Sequence, residues 1–145
     1  VKYGGSGVAA QKMGAALARL VGENERQSGW AIVPIPPHPR ACFFPRGDSH
    51  LQWMARGLAG ALGAPVRECL RWKEKRTPQK QQPDSQSRRA MPEDSFVCAG
   101  AAPEQALLLD DVSTTGTTLL RAAQCLYAAG AKEVLSLCWS VASKR

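Results

Sequence analysis

The stretch Leu107–Leu119, "LLLDDVSTTGTTL", decides how the rest of the chain is read. Three leucines run into two adjacent aspartates, and a loop of Ser, Thr and Gly follows. A buried strand does not end in two carboxylates by default, because bare charge in a core is costly. Behind the acids, Thr114, Thr115, Gly116 and Thr117 stand between a strand end and a helix start. Backbone N–H groups at a helix N-terminus are unpaired and carry partial positive charge. Gly116 allows a tight turn, and the Thr hydroxyls add donors. That combination is a phosphate cradle. Carboxylates repel phosphate, so Asp110 and Asp111 must address another part of the same ligand. Vicinal hydroxyls suit them, since each carboxylate oxygen accepts a hydroxyl hydrogen, and Mg²⁺ is a further candidate. Phosphate beside vicinal hydroxyls describes a phosphorylated sugar. A plain helix cap accounts for one Asp and one Thr, but poorly for two Asp, four Thr and a Gly within nine residues.

Working outward, apolar spacing predicts a helix over 7–21 through Val8, Met13, Ala16, Leu17, Leu20 and Val21, stopped by Gly22. "WAIVPIP", Trp30–Pro36, reads as a short buried strand, followed by an ordered loop. Ser49-x-x-Gln52 is a capping box opening a helix through Leu51, Met54, Leu58 and Leu62, with Gly63 ending it. Residues 65–72 and 95–98 are short strand candidates. Residues 106–112 form a strand, 117–129 a helix with Leu119, Leu120, Ala123 and Leu126 on its apolar side, and Gly130 a C′ residue. "EVLSLCWSV", Glu133–Val141, is the last strand. Strands alternating with helices predict an α/β fold, a mostly parallel sheet flanked by helices. Ligands bind such sheets beyond the carboxyl ends of the strands, which is where the acids and threonines fall.

The chain has 145 residues and a formal net charge of +7, a length that suits one domain over 1–145. Residues 73–92 contain almost no large apolar residue and read as a mobile basic loop within it. Arg67 to Arg89 holds eight basic and three acidic residues, so most of the excess charge sits there. A basic excess points to an anionic partner without choosing among a phosphorylated small molecule, nucleic acid and a membrane surface. The five cysteines are odd in number and dispersed, which argues against a disulfide framework or a CxxC zinc site and for reduced cytoplasmic thiols. No apolar run reaches membrane-spanning length, so no membrane insertion is expected. The chain opens on Val1 rather than Met, which leaves room for residues upstream. Gly5-x-Gly7-x-x-Ala10 matches a dinucleotide fingerprint formally but lacks the strand that must precede it, and reads as a helix lead-in. There is no GxxxxGK[ST] and no GxSxG. His38 and His50 have no Cys or His at metal spacing, and no metal is expected on protein ligands alone. Trp30, Trp53, Trp72 and Trp139 read as core or edge packing rather than a base-stacking platform.

Residues 106–118 resemble the 13-residue signature of type I phosphoribosyltransferases, with Ser113 where that family has an apolar residue. The resemblance implies that Asp110 and Asp111 hold the ribose hydroxyls of phosphoribosyl pyrophosphate (PRPP), and that Thr114, Thr115, Gly116, Thr117 and Thr118 bind its 5′-phosphate. "PIPPHPR", "RGDSHLQWMA", "KRTPQ" and "SRRAMPEDSF" occur in the order seen in the competence-protein-F-like (ComF) subgroup, without that subgroup's N-terminal four-cysteine zinc module. Asp48-Ser49-His50 replaces its Phe-Asn-Gln, and no Asn follows Arg88-Arg89 as in relatives. The resemblance places pyrophosphate at the loop from Ile35 and Pro36 to Arg40, with Arg40 and Arg46 as cations and Mg²⁺ accompanying PRPP. Bonds into Pro34, Pro36, Pro37 and Pro39 make a cis form cheaper in that loop. Arg76, Lys80, Arg88 and Arg89 are the candidate lid residues, the other reading being a solvated basic loop. Thr114 stands where 6-oxopurine enzymes carry an Asp, which leaves the acceptor unnamed and argues against hypoxanthine or guanine. Implied partners are PRPP or a phosphorylated ribose, with a second copy of the chain as a homodimer candidate. The rival reading is a non-catalytic competence factor that binds single-stranded DNA or a regulatory nucleotide through the basic arm.

Overall fold

The computed structural model describes residues 2–27, 29–38, 49–73 and 94–142, with side chains in the first helix from Gly7 onward. In chain order the elements are α1 (Lys2–Leu17), a 3₁₀ turn (Ala18–Leu20), α2 (Glu23–Arg26), β1 (Trp30–Pro34), α3 (His50–Leu62), β2 (Leu70–Trp72), β3 (Phe96–Cys98), β4 (Gln105–Ser113), α4 (Thr117–Ala128) and β5 (Glu133–Val141). The predicted α/β fold with a parallel sheet flanked by helices is the observed one.

β4 is central because its first half is apolar on both faces. Ala106, Leu107, Leu108 and Leu109 are all fully buried, as a strand covered on both sides requires. β1 pairs with it in parallel from Trp30 opposite Gln105 to Pro34 opposite Leu109. β5 pairs on the other side, with Asp110 opposite Cys138. A parallel bridge from Ile32 to Val66 extends the sheet beyond β1, closed by bonds from the Ile32 N–H to the Pro65 carbonyl and from the Arg67 N–H to the Ile32 carbonyl, each 2.8 Å. The spatial order is therefore residues 65–67, β1, β4, β5. The crossover through α3 runs outward from β1 in one direction and that through α4 runs outward from β4 in the other. Right-handed crossovers, the general rule for parallel strands, would set the two helices on opposite faces; α3 packs against β1 and β4, and α4 against β4 and β5. The strand order reverses between β1 and β4, so the crevice outside their carboxyl ends is where this architecture takes a ligand. β2 and β3 form a separate antiparallel pair, Leu70 opposite Cys98 and Trp72 opposite Phe96.

The helix α1 corrects the sequence reading. Val8 and Leu20, expected on its apolar face, are 53% and 69% exposed, and Ala16 is exposed too. The buried positions are Gly7, Ala10, Gly14 and Leu17. α1 packs on α3 through small residues rather than large ones: a Cβ on Gly14 would meet the Met54 carbonyl at 1.8 Å, and one on Gly57 the Gln11 carbonyl at 1.8 Å. Gly7 lies against the Trp53 ring, over which the Arg56 guanidinium also stands, 4.9 Å from the centroid. The backbones approach closely because no side chain intervenes, a pattern that hydrophobic periodicity cannot register. Gly5 and Gly7 thus lie inside a helix that begins at Lys2, not in a lead-in or a nucleotide-binding turn. Gly22 is likewise not a stop residue but the N-cap of α2.

Other expectations hold closely. Residues 133–141 form the last strand as read, and α4 ends one residue before the expected boundary. Ala129, Gly130 and Ala131 close α4 in a Schellman arrangement, with the Ala131 N–H donating to the Leu126 carbonyl and the Gly130 N–H to the Tyr127 carbonyl. Gly130 has φ +112°. The buried face of α4 is Ala122 and Leu126, flanked by Leu119 and Ala123, while Leu120 points outward at 54% exposure. Trp30 is buried, whereas Trp139 on the outer strand β5 is 45% exposed. Among the described residues Cys69, Cys98, Cys125 and Cys138 are free thiols. Burial, with Cys98 beside it, pushes the Cys69 thiol up to about 11, so it is no nucleophile at neutral pH. Among the described residues no helix is long and apolar enough to cross a membrane.

Candidate functional site

The carboxyl end of β4 carries the site. Its two aspartates are neighbours, and Asp111 lies close enough to act on the Asp110 carboxyl. Asp110 joins Val112, Ser113, Thr114, Thr115, Gly116, Thr117 and Thr118 around a hollow of about 30 Å³. Asp111 is not part of that lining. A larger hollow of about 420 Å³ lies between α2, the start of β1 and the end of α3, lined by residues such as Glu25, Trp30 and Pro65. It sits at the amino end of β1, away from the acids and threonines, and its size does not make it the site.

The two carboxylates are held by the strand itself. Asp110 Oδ1 accepts the Asp111 N–H at 2.9 Å, and Asp111 Oδ1 accepts the Val112 N–H at 2.8 Å. Burial pushes the Asp110 carboxyl up to about 6, with repulsion from Asp111 adding to it and the bond from the Asp111 N–H opposing it. Asp110 is therefore ionised at neutral pH but poorly solvated, so a hydroxyl donor or a cation gains more there than at a surface carboxylate. Among the described residues no group of three or more His, Cys, Asp or Glu side chains could hold a metal ion.

The loop behind them ends at Gly116, the N-cap of α4, at φ +77° and ψ 0°. That left-handed conformation is natural only for glycine, and a Cβ there would meet nothing within 4 Å. Glycine is thus required by the backbone turn, not by crowding. Having no side chain, it cannot cap the helix, and no side-chain cap bond is made. Thr115 Oγ1 lies 2.8 Å from Thr117 Oγ1 and accepts the Thr117 N–H at 3.3 Å. The first helical bond runs from the Leu120 N–H to the Gly116 carbonyl at 2.9 Å. Among the described residues the N–H groups of Thr118 and Leu119 find no acceptor. Thr118 and three further threonines line the hollow at the positive end of a twelve-residue helix, whose first turn holds both of these N–H groups.

The loop after β1 lies across the crevice. The Ile35 N–H donates to the Leu109 carbonyl at 2.9 Å, and Ile35 is buried. Pro36 and Pro37 have no N–H at all, and the bonds into Pro34, Pro36 and Pro37 are trans. Neither Ile35 nor Pro36 supplies a spare backbone donor, so an anion at this loop depends on later residues. Arg40 and Arg46, and Arg76, Lys80, Arg88 and Arg89 of the basic loop, lie outside the described residues. Sequence reasoning passed over Trp72 and His38 here. The Trp72 indole N–H donates to the Pro36 carbonyl at 2.8 Å, and His38 stands edge-on to the Trp72 ring at 4.9 Å. No local pattern announces a contact between residues 36 positions apart. His50 is exposed in the first turn of α3, as expected.

No protein-family model and no curated protein matches the chain. Solved structures do. Over 90% of its length the chain superposes on the allosteric regulatory enzyme of purine biosynthesis, at 20% identity and a TM-score of 0.58. It superposes likewise, over 90% of its length, on glutamine PRPP amidotransferase from B. subtilis complexed with ADP and GMP, at 21% identity and a TM-score of 0.56. The chain spans 25% and 26% of the length of those two chains. At these identities the match establishes architecture: the chain has the α/β fold of type I phosphoribosyltransferases.

Proposed function

We propose that the chain binds PRPP at the carboxyl end of β4 and acts as a phosphoribosyltransferase, moving the 5-phosphoribosyl group to an acceptor with release of pyrophosphate. The observation that carries the reading is the divided hollow, a carboxylate on one wall and an uncapped helix N-terminus with four threonines on the other. The 5′-phosphate fits the Thr118 and Leu119 N–H groups and the hydroxyls of Thr114, Thr115, Thr117 and Thr118. The ribose hydroxyls fit Asp110 and Asp111, each carboxylate accepting a hydrogen. As the bond to pyrophosphate lengthens, the ribose gains positive charge. A half-buried Asp110 carboxylate nearby stabilises that charge more than it stabilises the neutral ring. Mg²⁺ bound by PRPP would neutralise the leaving pyrophosphate. On the pyrophosphate side of this reading Arg40 and Arg46 supply the charge, with Ile35 and Pro36 forming only its wall, and Arg76, Lys80, Arg88 and Arg89 are a cover that excludes water.

The order of "PIPPHPR", "RGDSHLQWMA", "KRTPQ" and "SRRAMPEDSF" supports the ComF-like subgroup and with it a setting in DNA uptake. Thr114 in place of a carboxylate supports an acceptor other than an oxopurine. Titration calorimetry with PRPP and Mg²⁺ tests the reading. The wild-type chain should bind saturably. The Asp110→Asn/Asp111→Asn variant should bind at least ~100-fold more weakly, since each charge-assisted bond is worth roughly 1.5–3 kcal/mol. Absence of PRPP heat, together with binding to single-stranded DNA that weakens steeply with salt, would replace this reading by the nucleic-acid one.

A further inference from the structure

Trp72 sits at a junction between two parts of the molecule that the sequence keeps far apart. It is the last residue of β2 and pairs with Phe96, the first residue of β3. The two rings pack at 4.2 Å between centroids, tilted by 37°. Phe96 is buried and Trp72 half-buried, so the indole is wedged rather than free to swing. The ladder beneath is continued by the Lys73 N–H donating to the Ser95 carbonyl at 2.8 Å, and by the Lys73–Asp94 ion pair at 2.7 Å. That pair is exposed and adds little by itself. The fixed indole then reaches across to the loop after β1 and donates to the Pro36 carbonyl, while His38 leans edge-on against its ring.

The consequence lies in which way the Pro36 carbonyl points. The Pro36 and Pro37 rings restrict the peptide between them to extended conformations but contribute no N–H, and among the described residues the bond to Trp72 is the one that holds its carbonyl. The carbonyl oxygen is the negative end of the peptide dipole. Turned into the crevice between β1 and β4, it would oppose an anion. Bonded to the indole, its charge is directed toward β2, and the loop that follows is set in one orientation. The Ile35 bond to Leu109 fixes the other end of the same short segment.

We propose that Trp72 is a positioning residue for the pyrophosphate side of the site: its indole N–H holds the Pro36 carbonyl out of the anion's way and sets the loop from Pro36 to His38. The inference rests on the PRPP reading above. Trp72 itself touches no ligand in this scheme. The 5′-phosphate side, built from β4 and α4, shares no hydrogen bond with Trp72, so the two halves of the site should respond differently when the indole donor is removed.

Trp72→Phe deletes the donor while keeping an aromatic ring, though a smaller one, against Phe96 and His38. Calorimetric titrations with magnesium pyrophosphate and with ribose 5-phosphate, on wild type and variant, separate the two sides. The expected result is a loss of about 5- to 10-fold in pyrophosphate affinity, the worth of one hydrogen bond, with ribose 5-phosphate affinity unchanged. Equal losses for both ligands would mean a general structural role, and no loss for either would mean the bond is idle. Each of these overturns the proposal. A wild-type chain that binds ribose 5-phosphate but not pyrophosphate overturns the loop assignment alone, and one that binds neither overturns the PRPP reading beneath it. Should the variant fold poorly, ¹⁵N-tryptophan labelling of the wild type gives a second test. Of the four indole N–H signals, that of Trp72 should move on adding magnesium pyrophosphate and stay in place on adding ribose 5-phosphate. An unmoved signal on saturation with pyrophosphate would contradict the proposal.

Discussion

Two helices in this protein begin in opposite ways. α3 starts at Ser49, whose hydroxyl accepts the Gln52 N–H at 3.2 Å while the Gln52 side chain accepts the Ser49 N–H. Its N-terminus carries a reciprocal side-chain cap, and its inner face is committed to α1 through Gly57 and Met54. α4 starts at Gly116, which has no side chain to offer, and leaves the Thr118 and Leu119 N–H groups without an acceptor among the described residues. A capped terminus contributes roughly 0.5–2 kcal/mol to stability. α4 forgoes that contribution next to a half-buried carboxylate. The two starts differ in the N-cap side chain, present in α3 and absent in α4, and the one without it lies beside the charged hollow, as the proposed ligand site requires.

The comparison can be broken by altering each terminus in turn. Gly116→Val places a β-branched residue at φ +77°, which costs about 1–2 kcal/mol of backbone strain. Since no atom crowds the position, any relief must come from the loop moving. Ribose 5-phosphate affinity should fall at least tenfold by calorimetry, with a modest drop in melting temperature. Ser49→Ala should do the reverse. Stability should fall by about 1 kcal/mol in urea unfolding, while ribose 5-phosphate affinity stays at the wild-type value. An equal loss of affinity in both variants would erase the distinction between the two helices.

The smallest expected effect sharpens the comparison through pH. The Asp110 carboxyl titrates at about 6 in the fold against an ordinary 3.8. A raised value means the protonated form is favoured in the native state. Its stabilising contribution is full below pH 3.8 and is lost as pH rises through about 6. Asp110→Asn should therefore raise the melting temperature by a few degrees at pH 8 and leave it unchanged near pH 3.5. The same substitution should weaken PRPP binding, so this position trades stability for function. A melting temperature that falls at pH 8 would mean the carboxylate is better satisfied than its surroundings indicate.

Much of this was legible in the sequence for reasons that are local. Leu107 to Leu109 announce a strand buried on both faces, and the switch to Asp110 marks where it leaves the core. Ser49 and Gln52 spell their own cap, and Gly130 its own helix end. What stayed hidden depends on partners distant in the chain. α1 was misread because its buried face is Gly7, Ala10 and Gly14, residues chosen for how little they occupy, while Val8 and Leu20 face outward. That Asp110 lines the hollow and Asp111 does not could have been suspected from their successive strand positions. The Trp72 bond to Pro36 could not, because nothing in either segment refers to the other.

The most direct test of the central claim is an amide ¹H–¹⁵N NMR titration with ribose 5-phosphate, which reads both helix starts in one experiment. The account predicts saturable shifts for Thr115 to Leu119 and for Asp110 and Asp111, with the amides of Ser49 to Trp53 unmoved. Amides of Thr115 to Leu119 that stay in place at saturating ligand would contradict it.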